Sequence, residues 1–349
     1  MKNKKTTIIG MTVVILLAIL TVYVMISQSK TFNFQNFINL LSNAWWPWIV
    51  LAVFGMVGFI YFEGLAIVLI ARVFGFRKRK RKSFMYAAPD VYFSAITPSA
   101  TGGQPASAFF MIKDGITAAS ATMTLLINLI FYTMSIVVIG LACFIISPGV
   151  IGHFDWLSYI MITVGFVLQF IMIAVFLLLV YKSVIVKKAA SIILHFFKKI
   201  HLIKHLDKKL KKLDKMEVEY KQCASVIKFN KKKLGVAFLC NMAQRISQIL
   251  VSVFVFIGIE KNFSKILDVF ATQGFVAIGS NSVPIPGAVG AADYLFIDGF
   301  ADLCSDPVSI ELVSRGISFY VCVVVSGLIT VGSYIFLRMR AKKKKQKRK

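Results

Sequence analysis

Two arginines stand where a charge is costly. Arg245 lies with Gln244 and Gln248 inside an apolar run over 234–259, and Arg315 has Ser314 and Ser318 nearby in another over 309–337. A charge at membrane depth has a task or a partner. The planar guanidinium presents donors that match phosphate oxygens, so a lipid phosphate is one partner these residues fit. Glu63, Asp293 or Asp298 is the other, and the two readings coexist if the acid yields to substrate.

Other chemistry is sparse. His153, His195, His201 and His205 fall in loops or a basic amphipathic stretch. His201 and His205 share a helical face without a third ligand, so no metal site is expected. Cys143, Cys223, Cys240, Cys304 and Cys322 are scattered and lack CxxC spacing, which signals neither a disulfide framework nor zinc. The phosphate-cradling G-x4-G-K-[ST] loop is missing. No cofactor and no catalytic residue is therefore expected.

Two segments interrupt the hydropathy. The first runs Pro98-Ser-Ala-Thr-Gly102-Gly103-Gln104-Pro105, and the second Pro284-Ile-Pro286-Gly287-Ala-Val-Gly290-Ala-Ala-Asp293. Proline removes an N–H and biases its predecessor away from helix, while paired glycines open backbone conformations closed to other residues. Helices must break there. Broken backbone survives at membrane depth only where protein or a watery cavity satisfies it. Both segments contain P-x3-G, at Pro98/Gly102 and Pro286/Gly290. The alternative is that these residues merely kink ordinary helices.

The elements that carry these residues are apolar spans. Hydrophobic residues make up 58% of the 349, charged residues only 16%, and mean hydropathy is +0.76, which excludes a water-soluble domain. Runs over 7–27, 44–73, 117–146, 157–181, 234–259 and 309–337 each suffice to cross ~30 Å of hydrocarbon. The first is too long for a signal-peptide core and lacks a cleavage site, so it is read as a retained helix.

Lysine and arginine set the orientation. Three precede the first span, seven lie in 72–82, Lys113 stands alone, sixteen lie in 182–233 and nine in 338–349. The alternate loops hold only Lys30, Lys261 and Lys265. This partition puts both termini in the cytoplasm of a cell-membrane protein, provided that the broken segments, about 84–115 and 266–303, re-enter from opposite sides. Trp45, Trp46, Trp48 and Trp156 then form an outer aromatic belt. The expected fold is all-α and polytopic, with six spans and two opposed re-entrant elements in an inverted repeat, an architecture that forms substrate sites near the midplane. It is one unit over 1–341, followed by a basic tail over 342–349. Apolar positions from Ile192 to Leu213 alternate with lysines, as in a basic amphipathic helix on an anionic leaflet. The net charge of +26 follows from these blocks, and nucleic acid is not an expected partner.

Thr97-Pro98-x3-Gly102-Gly103-Gln104, then Pro284-Ile285-Pro286-Gly287-x2-Gly290-x2-Asp293, then a last helix bearing Arg315, resemble the lysylphosphatidylglycerol synthase transmembrane family, the flippase-like membrane domain of multiple peptide resistance factors. The resemblance covers roughly 10–337. It implies movement of aminoacylated phosphatidylglycerol to the outer leaflet and protection against cationic antimicrobial peptides. It also implies that Pro98, Gly102, Gly103, Gln104, Pro284, Pro286, Gly287, Gly290, Asp293 and Arg315 shape the lipid path, to which the intramembrane charge of Arg245 adds a further expected residue. The soluble domain that transfers lysine from lysyl-tRNA is not among these residues, so phosphatidylglycerol lysyltransferase is a family label and not an expected activity. Ala288 stands where the family usually has glycine, Asp293 where a glutamate follows, and Asn128 where an acid or arginine is common. These departures leave the lipid open: an anionic or aminoacylated phospholipid, a glycolipid or a polyprenyl-linked precursor. A separately encoded synthase or glycosyltransferase is a further expected partner, and a solute transporter the remaining rival.

Overall fold

The computed structural model describes residues 34–97, 100–182, 221–227, 229–285 and 290–346, with isolated positions 184, 188, 191, 192, 218, 219 and 288 between them. The span expected over 7–27, most of the basic amphipathic stretch with its three histidines, and Pro98, Pro286 and Gly287 lie outside those residues.

Eleven α-helices make up the described chain: α1 Phe34–Asn43, α2 Trp46–Val73, α3 Ser83–Ile96, α4 Gly103–Lys113, α5 Ala118–Ile146, α6 Trp156–Tyr181, α7 Lys231–Glu260, α8 Ile266–Asn281, α9 Ala291–Phe300, α10 Pro307–Arg315 and α11 Cys322–Gln346. A π-helical turn, Gly316–Val321, joins α10 to α11. Five stretches are long and apolar enough to cross a membrane: Trp46–Val73, Ala118–Ile146, Trp156–Val180, Lys231–Glu260 and Pro307–Arg340. They coincide with the expected spans after the first. The protein is an all-α, multi-pass membrane protein.

Local chemistry fixes the helix ends. Thr117 and Asp155 cap α5 and α6 by accepting from Ser120 N and Ser158 N, and Asp306 caps α10 through Ser309 N; each satisfies a donor that the first turn leaves unpaired. Packing then depends on small residues, because lipid offers little hydrophobic drive between helices. The α2–α7 pair is the most extensive contact. A Cβ on Gly55 would lie 3.2 Å from Ser247 O of α7. By contrast, α6 shows Val164, Val167, Phe170, Ile171, Val175 and Leu178 exposed along its length, an apolar face matched to acyl chains.

Each broken segment folds as a helical hairpin, α3–α4 and α8–α9. Their mouths lie at opposite ends of the bundle. At the first mouth Asp114 accepts from Lys82 (2.7 Å), Lys78 (3.1 Å), Tyr86 (2.7 Å) and Arg340 at the end of the last span (3.1 Å). At the second, Lys265 Nζ donates to Asp302 O (3.0 Å) and Leu303 O (3.2 Å), and Ser305 N to Glu260 (2.9 Å). Trp45, Trp46 and Trp156 are exposed at this second end, whereas Trp48 turns inward onto Phe254 and Phe263. Trp46–Ile146 and Lys231–Arg340 thus both run span, hairpin, span, in opposite directions.

Candidate functional site

The interior between the hairpins holds two arginines and four acids, each less than a tenth exposed. Arg245 comes from the middle of α7. Its guanidinium lies 3.5 Å over the Tyr132 ring of α5 and 5.7 Å from Phe59 of α2. One Nη donates to Gln248, a turn further along the same helix. Its Nε has no hydrogen-bond partner among the described residues, and neither amide atom of Gln244 has one. Tyr132 in turn donates to Asn281 Oδ1 at the tip of α8, 3.0 Å away. A small cavity touching Arg245 and Gln248 is closed on its other side by Gly274 and Ala277 of α8. Arg245 therefore stands at the junction with the second hairpin.

On the opposite side lies the first hairpin. Glu63 of α2, within electrostatic reach of Arg245, and Asp90 of α3 are both buried and lie within electrostatic reach of one another. Asp90 follows Pro89, which interrupts the α3 ladder. The same Asp90 accepts from Gln104 Nε2 of α4 (2.9 Å) and from Ser94 Oγ (3.2 Å). Gly103 packs so tightly here that a Cβ would overlap Asp90 Oδ1 and Ser94 Oγ. Thr97 completes the turn: its Oγ1 donates to Phe93 O (2.6 Å) and accepts from Gly102 N (2.9 Å).

The second set is built around Arg315. Its Nε sits 3.4 Å from Asp293 Oδ1, and Glu311, one turn earlier on α10, lies within electrostatic reach of both Asp293 and Arg315. Asp293 Oδ2 also accepts from Gly290 N (2.8 Å), closing the first turn of α9. The π-helical turn begins at Gly316, directly after Arg315; such widened turns reset side-chain register within a span. On the second hairpin's outer side Gln169 of α6 donates to Ser282 Oγ (3.2 Å).

The expected site residues thus divide. Gln104 joins Asp90 and the Glu63–Arg245 set, while Gly290, Asp293 and Arg315 form the other, and Gly102 and Gly103 build the first turn. Pro284 precedes the second turn without a helical role. The acid partner weighed for Arg315, Asp293, is its ion-pair partner, whereas Asp298 instead accepts from Asp155 N (3.0 Å). Asn128 bonds Asn241 of α7 (3.1 Å). Asp90, Glu311 and Tyr132 were missed by sequence reasoning, although Asp90 and Glu311 carried the same signal as the arginines: an ionisable residue inside an apolar run.

Outside the spans two carboxylates hold the hairpins. Burial pushes the Asp114 carboxyl up, but hydrogen bonds from Lys82, Tyr86 and Lys78 outweigh it and leave it below the usual carboxylate range. The Tyr294 hydroxyl of α9 donates to Asp155 and draws that acid down as well. No group of three or more metal-ligating side chains occurs among the described residues.

A protein of Mycoplasma pneumoniae, described as an uncharacterized protein MG306 homolog, is 21% identical over 335 residues, spanning 87% of this chain and 82% of its own. No solved structure matches. The family model for the lysylphosphatidylglycerol synthase TM region matches residues 8–326, and with that match covering both hairpins and both arginine sets, the chain belongs to this family of membrane proteins.

Proposed function

We propose that the chain is a lipid translocase that carries a phosphate-bearing headgroup, such as that of lysyl-phosphatidylglycerol, between leaflets along the junction of the two hairpins. The observation that carries this reading is Arg245: buried, stacked on Tyr132, and flanked by Glu63 of α2 and Asp90 of the first hairpin on one side and the second hairpin's α8 on the other. A guanidinium held by an aromatic face and not clamped by a carboxylate keeps donors for a phosphate. Family membership supports a lipid-related role, and the opposed hairpins suit alternating access around a fixed site. Acyl chains would stay in the bilayer beside α6, with Gln104 and Asp293 near the polar head.

The orientation proposed from the basic residues puts the Asp114 end, with Lys78, Lys82 and Arg340, in the cytoplasm, together with the 182–233 loop and the 342–349 tail, and the chain in the cell membrane. Protection against cationic peptides would follow from adding cationic lipid to the outer leaflet. Partnership with a separate lipid synthase or glycosyltransferase is part of the same reading. A leaflet-resolved assay in proteoliposomes tests it: wild-type protein should expose labelled anionic or lysylated lipid, and Arg245→Gln should slow this at least about tenfold, the loss of one charge-assisted contact of roughly 1.5–3 kcal/mol. Equal rates with empty liposomes would refute it.

A further inference from the structure

We propose, building on the reading of Arg245 as a phosphate site, that Glu63 and Asp90 form a proton-binding site that takes up one proton for each anionic headgroup docking on Arg245.

The argument is one of charge balance. The set contains two carboxyls and one arginine. Glu63, Asp90 and Arg245 are each less than a tenth exposed, Asp90 is fixed by Gln104 at 2.9 Å and Ser94 at 3.2 Å, and Glu63 sits one turn beyond Phe59, whose ring lies 5.7 Å from the Arg245 guanidinium, so two buried carboxyls share one buried cation. With one carboxylate, one carboxylic acid and one guanidinium the set is neutral, which is the charge state a buried site of low dielectric favours. Among the described residues its surroundings supply no further positive charge. Facing it are Arg245 from α7, Gln104 from α4, Ser94 from α3 and Cys322 from the start of α11, with Tyr132 of α5 on the far face of the guanidinium. Arg245 is the sole cation of that group.

A phosphodiester monoanion brings one negative charge to Arg245. The remaining carboxylate is then uncompensated, and a buried unpaired charge costs several kcal/mol. Protonation relieves this: the proton comes from bulk water, and the set becomes guanidinium, phosphate and two carboxylic acids, again neutral. Release of the lipid returns the proton. Carriage of an anionic lipid is accordingly electroneutral, and a pH gradient biases its direction. The second set, Asp293–Glu311–Arg315, has the same composition but its arginine already contacts a carboxylate at 3.4 Å, so it serves as the internal control.

The test titrates purified full-length protein, in weakly buffered detergent, with dispersed short-chain phosphatidylglycerol while a pH dye reports proton uptake. About one proton per bound lipid is expected, and wild-type Kd should rise about tenfold per pH unit across the range where the free site lacks this proton and the lipid-bound site holds it. Glu63→Gln with Asp90→Asn should bind without proton uptake, whereas Glu311→Gln should leave uptake at about one. Should the double variant fail to fold, the wild-type stoichiometry and pH slope decide alone. Binding without proton uptake and with a flat pH profile, or no binding at all, overturns the proposal. Lipid that crosses proteoliposomes but binds proton-silently leaves the carrier reading standing and removes the coupling. Proton-linked binding without crossing does the reverse.

Discussion

The two hairpins reach the same shape by different means. In both turns an alanine two residues after the proline, Ala100 and Ala288, adopts a left-handed backbone, at φ 53° and 49°. The glycines that follow differ: Gly102 is right-handed at φ −79°, whereas Gly290 is at φ 85°. In the first hairpin an aspartate on the incoming helix, Asp90, braces the outgoing one through Gln104. In the second, the aspartate lies on the outgoing helix and braces its own first turn through Gly290 N. Their arginines differ accordingly. Asp293 holds Arg315 directly, while Asp90 turns to Glu63 and leaves Arg245 to an aromatic face. One arginine is paired with an aspartate; the other keeps its Nε without a hydrogen-bond partner among the described residues.

That contrast can be broken most severely at the glycines. Gly103→Ala has no space beside Asp90 and Ser94 and should cost about 1–3 kcal/mol through overpacking. Gly290→Ala has open space around it but a backbone hostile to a side chain, about 1–2 kcal/mol. Thermal unfolding in detergent measures both, and a harmless Gly103→Ala would contradict the close packing of the first turn. The aspartates come next. Asp293→Asn weakens a direct ion pair and should cost about 1–2 kcal/mol, whereas Asp90→Asn keeps Glu63 facing Arg245 and should cost less than about 1 kcal/mol. Equal losses would erase the distinction between a committed and an available arginine. The smallest effect should come from Ala100→Gly and Ala288→Gly. Relief of about 1–2 kcal/mol from the left-handed backbone exceeds the added chain entropy of about 0.5–1 kcal/mol, giving a similar small gain in unfolding temperature at both turns. A gain at one turn only would mean that the two alanines are not equivalent.

Much of this was legible in the chain itself. Apolar run length fixed five spans to within a few residues, because membrane thickness sets helix length. Pro98/Gly102 and Pro286/Gly290 marked the breaks, because proline and glycine act on their own backbone, and the alternation of basic loops implied that the hairpins open at opposite ends. Arg245 and Arg315 stood out for the same local reason. The left-handed Ala100 and Ala288 gave no such sign, since alanine is an ordinary helix former and only the closed turn forces it there.

The pairings were decided by the tertiary structure alone. Glu63 and Asp90 are 27 positions apart on separate helices, and Tyr132 lies more than a hundred residues before Arg245. Sequence spacing carries no information about which acid meets which arginine, because that depends on how α2, α3, α5 and α7 cross. The sequence determined that charges and broken helices would occupy the membrane interior. Packing decided that Arg315 is held by its aspartate, whereas Arg245 rests on the ring of Tyr132.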